Sequence, residues 1–298
     1  MGLRIAPNLY NTLLAAVSVD RNRINTDLQQ VSTGQALNLP SDNPAGTAAL
    51  IENKTEAASI DQFTQSISTV QGSLQTADTA LGSVVNSLNQ ALSIGTEGAS
   101  GTNSTSELQG LAQQVAAIQQ TVLGLANTSY QGIYLFAGTK STAAAYVANA
   151  LSPSGVSYNG NSGTNSVDVG PGQSVITNAP GSSIFNGAGA DVFQALHDLS
   201  NALNTNTNIP GALTELESAF NNVNSQRTFY GNTLDQLNSV NGNLTQEQFT
   251  LTQQLNTLAA ANPATAASNL TQDENTLTAA LDAFGGISQN TLLNYLKL

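Results

Sequence analysis

Apolar residues spaced by seven constrain this chain more than any other feature. Ile60, Ile67, Leu74, Leu81 and Leu88 form one such series, and Phe63, Val70, Ala77, Val84 and Ala91 a second, three residues on. Two interleaved registers of this kind place a narrow apolar seam along one helix. A helix of about 35 residues, roughly 50 Å long, is predicted. Gly95, Gly98 and Gly101, set among Ser and Thr, read as a turn. The seam resumes at Leu108, Leu111, Val115, Ile118, Val122 and Leu125, so two seamed helices should fold back as an antiparallel hairpin.

The C-terminal half repeats the pattern. Leu216, Val223, Tyr230, Leu237, Leu244, Leu251 and Leu258 hold one register, supported by Phe220, Leu234 and Leu255 and interrupted by Arg227, Asn241 and Gln248. Asn262-Pro263 should end this helix, because proline disfavours a helical residue before it. Beyond it Leu270, Leu277 and Phe284 lie seven apart, with Leu281 and Ile287 alongside. Near the other terminus Tyr10, Val17, Ile24 and Val31 form a matching register, with Leu13 and Leu28. Each end therefore offers a seam with no partner nearby in sequence, and pairing the two with each other is the economical arrangement. Short seams bury little alone, so these ends are expected to order fully only when further subunits cover them.

From about Thr139 to Gly189 the chain changes in kind. Short alternating runs (Gly155-Val156-Ser157-Tyr158, Ser166-Val167-Asp168-Val169, Ser174-Val175-Ile176) are separated by Asn159-Gly160, Gly-Pro and Pro-Gly. Such runs read as strands and hairpin turns. The expected fold is mainly α: a long antiparallel helical rod and coiled coil built from both terminal segments, with a small β insert. The expected divisions are residues 1–40 with 263–298, a terminal coiled-coil region; 41–138 with 190–262, a helical rod; and 139–189, an outward β-rich insert.

Composition narrows the function. Only 9% of the residues are charged, Cys and Trp are absent, and the formal net charge is −12. A surface of Asn, Gln, Ser and Thr can be buried against neighbours without the desolvation cost of charges. Phosphate recognition needs clustered cations, and only Arg21 and Arg23 lie close together, which argues against nucleic-acid or anionic-membrane binding. No cleavable signal and no apolar run of about 20 residues is visible, so export would use another route.

Catalytic and cofactor chemistry finds no support. His197 is the single histidine, set in the amphipathic stretch Phe193–Leu199, and without Cys no His-based metal cluster or Cys–His dyad can form. Glu215 and Glu217 are two apart and face different directions on a helix. No enzyme activity, cofactor or metal is expected.

Three motifs carry a resemblance. Val31-Ser32-Thr33-Gly34-Gln35-Ala36-Leu37-Asn38-Leu39-Pro40-Ser41-Asp42-Asn43-Pro44-Ala45-Gly46 resembles the N-terminal signature of the bacterial flagellin family, with Asn43 where the family has a second Asp. The local physics agrees: Gly34 can close a helix in the left-handed region, Asp42 or Asn43 can cap the next, and Pro44 fits its first turn. Gly132-Ile133-Tyr134-Leu135-Phe136-Ala137-Gly138-Thr139 resembles a signature of the family's hook-associated junction members. So does the C-terminal run Ile287-Ser288-Gln289 and Leu292-Leu293-Asn294-Tyr295-Leu296.

This resemblance implies an extracellular structural subunit of the flagellum. It would form a ring of identical subunits between hook-associated protein 1 and flagellin, and be exported unfolded with a flagellar export chaperone on its C-terminal segment. The alternative is a short flagellin that builds the filament itself. The assembly interface is expected at Tyr10, Leu13, Val17, Ile24, Leu28, Val31, Leu277, Leu281, Phe284, Ile287, Leu292, Leu293, Tyr295 and Leu296.

Overall fold

Seven-residue seams become long helices in the computed structural model, which describes the backbone of residues 7–40 and 43–296 and the side chains of 11–40 and 43–285. The chain divides into two compact units, residues 60–245 and residues 1–59 with 246–298. Helices α2 (Pro44–Gly98) and α6 (Ile209–Ala259) contribute to both.

In the unit formed by residues 60–245, α2 packs with α3 (Thr105–Ala126), α5 (Val192–Thr205) and α6. Ile60, Ile67, Leu74, Leu81 and Leu88 are all buried, as are Leu216, Val223, Tyr230, Leu237 and Leu244 of α6. Each such leucine contributes about 1.5–3 kcal/mol of transfer free energy. Ser104 caps α3: its hydroxyl accepts from Glu107 N at 3.3 Å, and Ser104 N donates to the Glu107 carboxylate at 2.6 Å. These hydrogen bonds, the backbone one first, hold the Glu107 carboxyl below its ordinary pKa.

One expectation is corrected. Gly95 and Gly98 do not form a turn; α2 runs through both, and the reversal comes at Gly101, where φ is +71°. A Cβ at Gly95 would meet Leu213 Cδ2 at 2.5 Å, and one at Gly98 would collide with Leu203. These two glycines let α5 and α6 approach α2 closely, a packing use that resembles a turn signal in sequence.

The insert consists of four separate antiparallel strand pairs: β1 (Ser129–Tyr130) with β2 (Ile133–Tyr134), β3 (Tyr146–Ala148) with β4 (Val156–Tyr158), β5 (Ser166–Gly170) with β6 (Gln173–Ile176), and β7 (Asn186–Gly187) with β8 (Ala190–Asp191). A single-turn helix, α4 (Gly181–Ile184), precedes β7. The predicted strands at 156–158, 166–169 and 174–176 are present, and Gly170-Pro171-Gly172 turns β5 into β6. Asn159-Gly160 does not turn a hairpin, since β4 pairs backward with β3.

The signature at Gly132–Thr139 ties this insert to the helices. Gln131 and Gly132 turn β1 into β2 with φ of +51° and +81°. Phe136 is fully buried, edge-on to Phe185 at 5.5 Å and to Tyr230 of α6 at 6.5 Å. Phe136 O accepts from Gly181 N at 2.7 Å and from the Tyr158 hydroxyl at 3.1 Å. Asn127, just past α3, clamps Tyr146: its Oδ1 accepts from Tyr146 N and its Nδ2 donates to Tyr146 O, both at 2.8 Å. Burial pushes the Tyr146 and Tyr230 phenols well above the ordinary tyrosine range, so both are neutral hydrogen-bonding members of this core.

Candidate assembly surface

In the other unit, α1 (Pro7–Thr33) packs along α7 (Pro263–Leu296). Gly34 ends α1 with φ of +69°, its N–H donating to Gln30 O at 2.9 Å. The chain then docks on the segment before α7: Ala36 N donates to Ala259 O at 2.7 Å, and Ala261 N to Gly34 O at 2.9 Å. Asn262 Oδ1 accepts from Ala264 N at 3.1 Å and Pro263 takes the first helical position, so the predicted break falls at Asn262-Pro263. At the start of α2, Asn43 Oδ1 accepts from Gly46 N at 2.9 Å, so Asn43 is the cap.

The α1–α7 pair covers its seam incompletely. Leu13, Val17 and Ile24 of α1 and Leu277 and Phe284 of α7 are half-buried. Leu28 is 54% exposed and Leu281 51%, and Val31 is exposed too. Leu14, Val19, Ile51 and Phe249 of the same unit are also exposed, signals the seven-residue register did not single out. Val17, Ile24 and Leu277 line one cavity together with Leu14. The side chains of Tyr10, Ile287, Leu292, Leu293, Tyr295 and Leu296 lie outside the described residues. Two helices alone cannot enclose a seam of this width, so apolar surface such as Leu28 and Leu281 stays exposed.

Charges at this pair are few. Arg23 and Asp27 of α1 line a polar cleft with Asp273 of α7. The Asp27 carboxyl is raised above its ordinary pKa, first by burial and then by Asp273, while Arg23 pulls it back. In the larger unit His197 is half-buried on α5, and Asp198 beside it accepts from Gln194 Nε2 at 2.8 Å. Among the described residues no cluster of three or more His, Cys, Asp or Glu is placed to hold a metal. No described helix is long and apolar enough to cross a membrane.

Long helical pairs, an incompletely covered terminal seam and a small aromatic-anchored insert define a mainly helical, rod-type fold. Residues 8–141 match the family model described as the bacterial flagellin N-terminal helical region. The fold matches a structure from Vibrio parahaemolyticus described as a flagellar hook-associated protein, over 73% of this chain and 99% of the other, with TM-score 0.67 and 21% identity. It also matches flagellar hook-associated protein 3 of Legionella pneumophila (69% and 98% covered, TM-score 0.63, 17% identity) and FlgL of Xanthomonas campestris (67% and 98%, 0.60, 18%). A search of curated protein sequences returned no match. Residues 8–141, just under half of the chain, thus resemble the N-terminal helical region of bacterial flagellin, and the fold is that of the hook-associated proteins it matches.

Proposed function

We propose that this protein is the structural subunit that joins the flagellar hook to the filament. The observation that carries this reading is the half-covered seam of α1 and α7, with Leu28 and Leu281 each more than half exposed on a fold like that of hook-associated protein 3. Residues 1–40 with 263–298 form the assembling part, and the buried core of residues 60–245 is the body that folds before assembly. The subunits form a ring that meets hook-associated protein 1 on one side and flagellin on the other, outside the cell. The α7 seam is the segment an export chaperone covers beforehand. The role is structural.

Gold-labelled antibody against the insert tests the reading. Label confined to a narrow band where hook meets filament is expected. Label along the whole filament would favour the alternative, a short flagellin, to which the N-terminal family match is equally suited.

A further inference from the structure

Helix α1 can be read in two seven-residue frames that share Val17, Ile24 and Val31. On one side of that line stand Leu13, Asp20 and Asp27, and on the other Leu14, Arg21 and Leu28. The structure turns the first side toward α7: Asp20 is 9% exposed, and Leu13 and Asp27 are half-buried. The second side faces out, with Leu14 and Leu28 each 54% exposed and Arg21 exposed between them.

This seating is poorly matched. It covers two carboxylates and leaves two leucines in water, the reverse of what burial favours. Burial and Asp273 both oppose the charge on Asp27, and Arg23 offsets them only in part.

Beside α7 there is room for the other side. A groove of about 600 Å³ lies between the helices where Leu14, Val17, Arg21, Ile24 and Leu277 meet. Placed with Val17 and Ile24, Leu277 stands level with residues 20 and 21. The helices are antiparallel, since the chain after α1 docks on the segment before α7. Leu270, seven residues earlier, is therefore level with residues 27 and 28. Side chains advance by about 100° per residue, so a turn of α1 by about 50° exchanges its two sides. Leu28 then meets Leu270, Arg21 lies by Leu277 within one turn of Asp273 and Glu274, and Asp20 and Asp27 return to water.

We propose that α1 exchanges between two seats on α7. The seat in the structure presents Leu14 and Leu28 to neighbouring subunits, and the second turns both inward and hides them. The occupant of the groove in the second seat is the chain's own leucine line, so the free subunit can cover part of its assembly surface without a partner. The proposal rests on the junction reading.

The cysteine-free sequence makes the test direct. Leu28→Cys is introduced into the full chain, and the rate of its alkylation by a maleimide is measured on the free protein. Adding Arg21→Leu makes the outward line apolar and favours the second seat, so alkylation should slow about tenfold. Adding Asp27→Leu favours the seat in the structure and should not slow it. An unchanged or faster rate with Arg21→Leu overturns the proposal. So does equal slowing by Asp27→Leu, which would mean that the pair merely tightens, or by Arg21→Gln, which removes the charge without adding apolar surface. In cells, Arg21→Leu should lower incorporation into flagella, whereas a plain docking face would bind as well or better when made more apolar. Incorporation at or above the wild-type level therefore also overturns the proposal. Absence of the wild-type protein from flagella would overturn the junction reading itself and leave the alkylation result standing.

Discussion

Arg227 of α6 and Asp78 of α2 meet in a two-pronged ion pair, Nε to Oδ1 at 2.8 Å and Nη2 to Oδ2 at 3.1 Å. Arg227 interrupts the apolar register of α6, and the structure shows why it is tolerated. Its guanidinium passes over Gly82, where a Cβ would lie 3.6 Å away, and reaches the carboxylate across the helix pair. The hydrogen bond it donates to Asp78 is the main reason its proton is held more tightly than usual. Two turns before Asp78 on α2, Gln71 Nε2 donates to Asn238 Oδ1 at 2.8 Å. These polar contacts fix the sliding register of two antiparallel helices whose leucine seams alone would tolerate a shift of seven residues.

Both partners of that pair are about one-third exposed, so its worth is modest. A double-mutant cycle with Asp78→Ala and Arg227→Ala should return a coupling of about 0.5–1 kcal/mol, read from denaturant midpoints. The coupling should shrink in 1 M salt. A coupling independent of salt would mean that packing, not charge, joins the two side chains.

Leu81 is fully buried and its replacement by Ala should cost about 2–5 kcal/mol, visible as an earlier unfolding midpoint. Leu28→Asp, on the exposed face of α1, should leave that midpoint within about 0.5 kcal/mol of wild type and yet abolish incorporation into flagella. The two variants separate folding from assembly. Comparable destabilisation by both would show that the α1 seam belongs to the folded core.

Phe136→Ala removes the ring that joins the insert to α6 and should destabilise the larger unit by about 3–5 kcal/mol. The loss should register as weakened near-ultraviolet dichroism, since Tyr146, Tyr158, Phe185, Phe193 and Tyr230 share the same cluster. An unchanged aromatic signal would count against that anchoring role.

The Asp27 carboxyl gives α1 and α7 a pH dependence of definite sign. Its pKa in the folded pair lies above the ordinary carboxylate value of about 4, so in the interval between the two the folded state binds more protons. Pairing therefore weakens as pH rises through that interval and strengthens as pH falls through it. Amide exchange in α1 should slow on acidification into the carboxylate range, after correction for intrinsic exchange. Asp27→Asn should remove most of that dependence.

The helices were legible because a register of seven is a global signal: Ile60, Ile67, Leu74, Leu81 and Leu88 and the series Leu216, Val223, Tyr230, Leu237 and Leu244 are all buried, while Phe63, Val70, Phe220 and Leu234 of the companion positions are half-buried. The cap at Asn43 and the break at Pro263 were legible because they depend on local chemistry alone. Gly95 and Gly98 misled, since a glycine that admits a neighbouring leucine has the same letter as one that turns the chain. Strand β3 escaped notice because Tyr146 is placed by long-range partners, Asn127 and Asn186, which no short window contains. The surface pattern was only half readable. Register named Leu28 and Leu281, but not Leu14, Ile51 or Phe249, whose exposure depends on which neighbours cover them.

Deletion of the gene tests the junction assignment most directly. Electron microscopy of the deletion strain should show cells bearing hooks without filaments, and unpolymerised flagellin should accumulate in the medium. Filaments of normal length on the deletion strain would contradict the account.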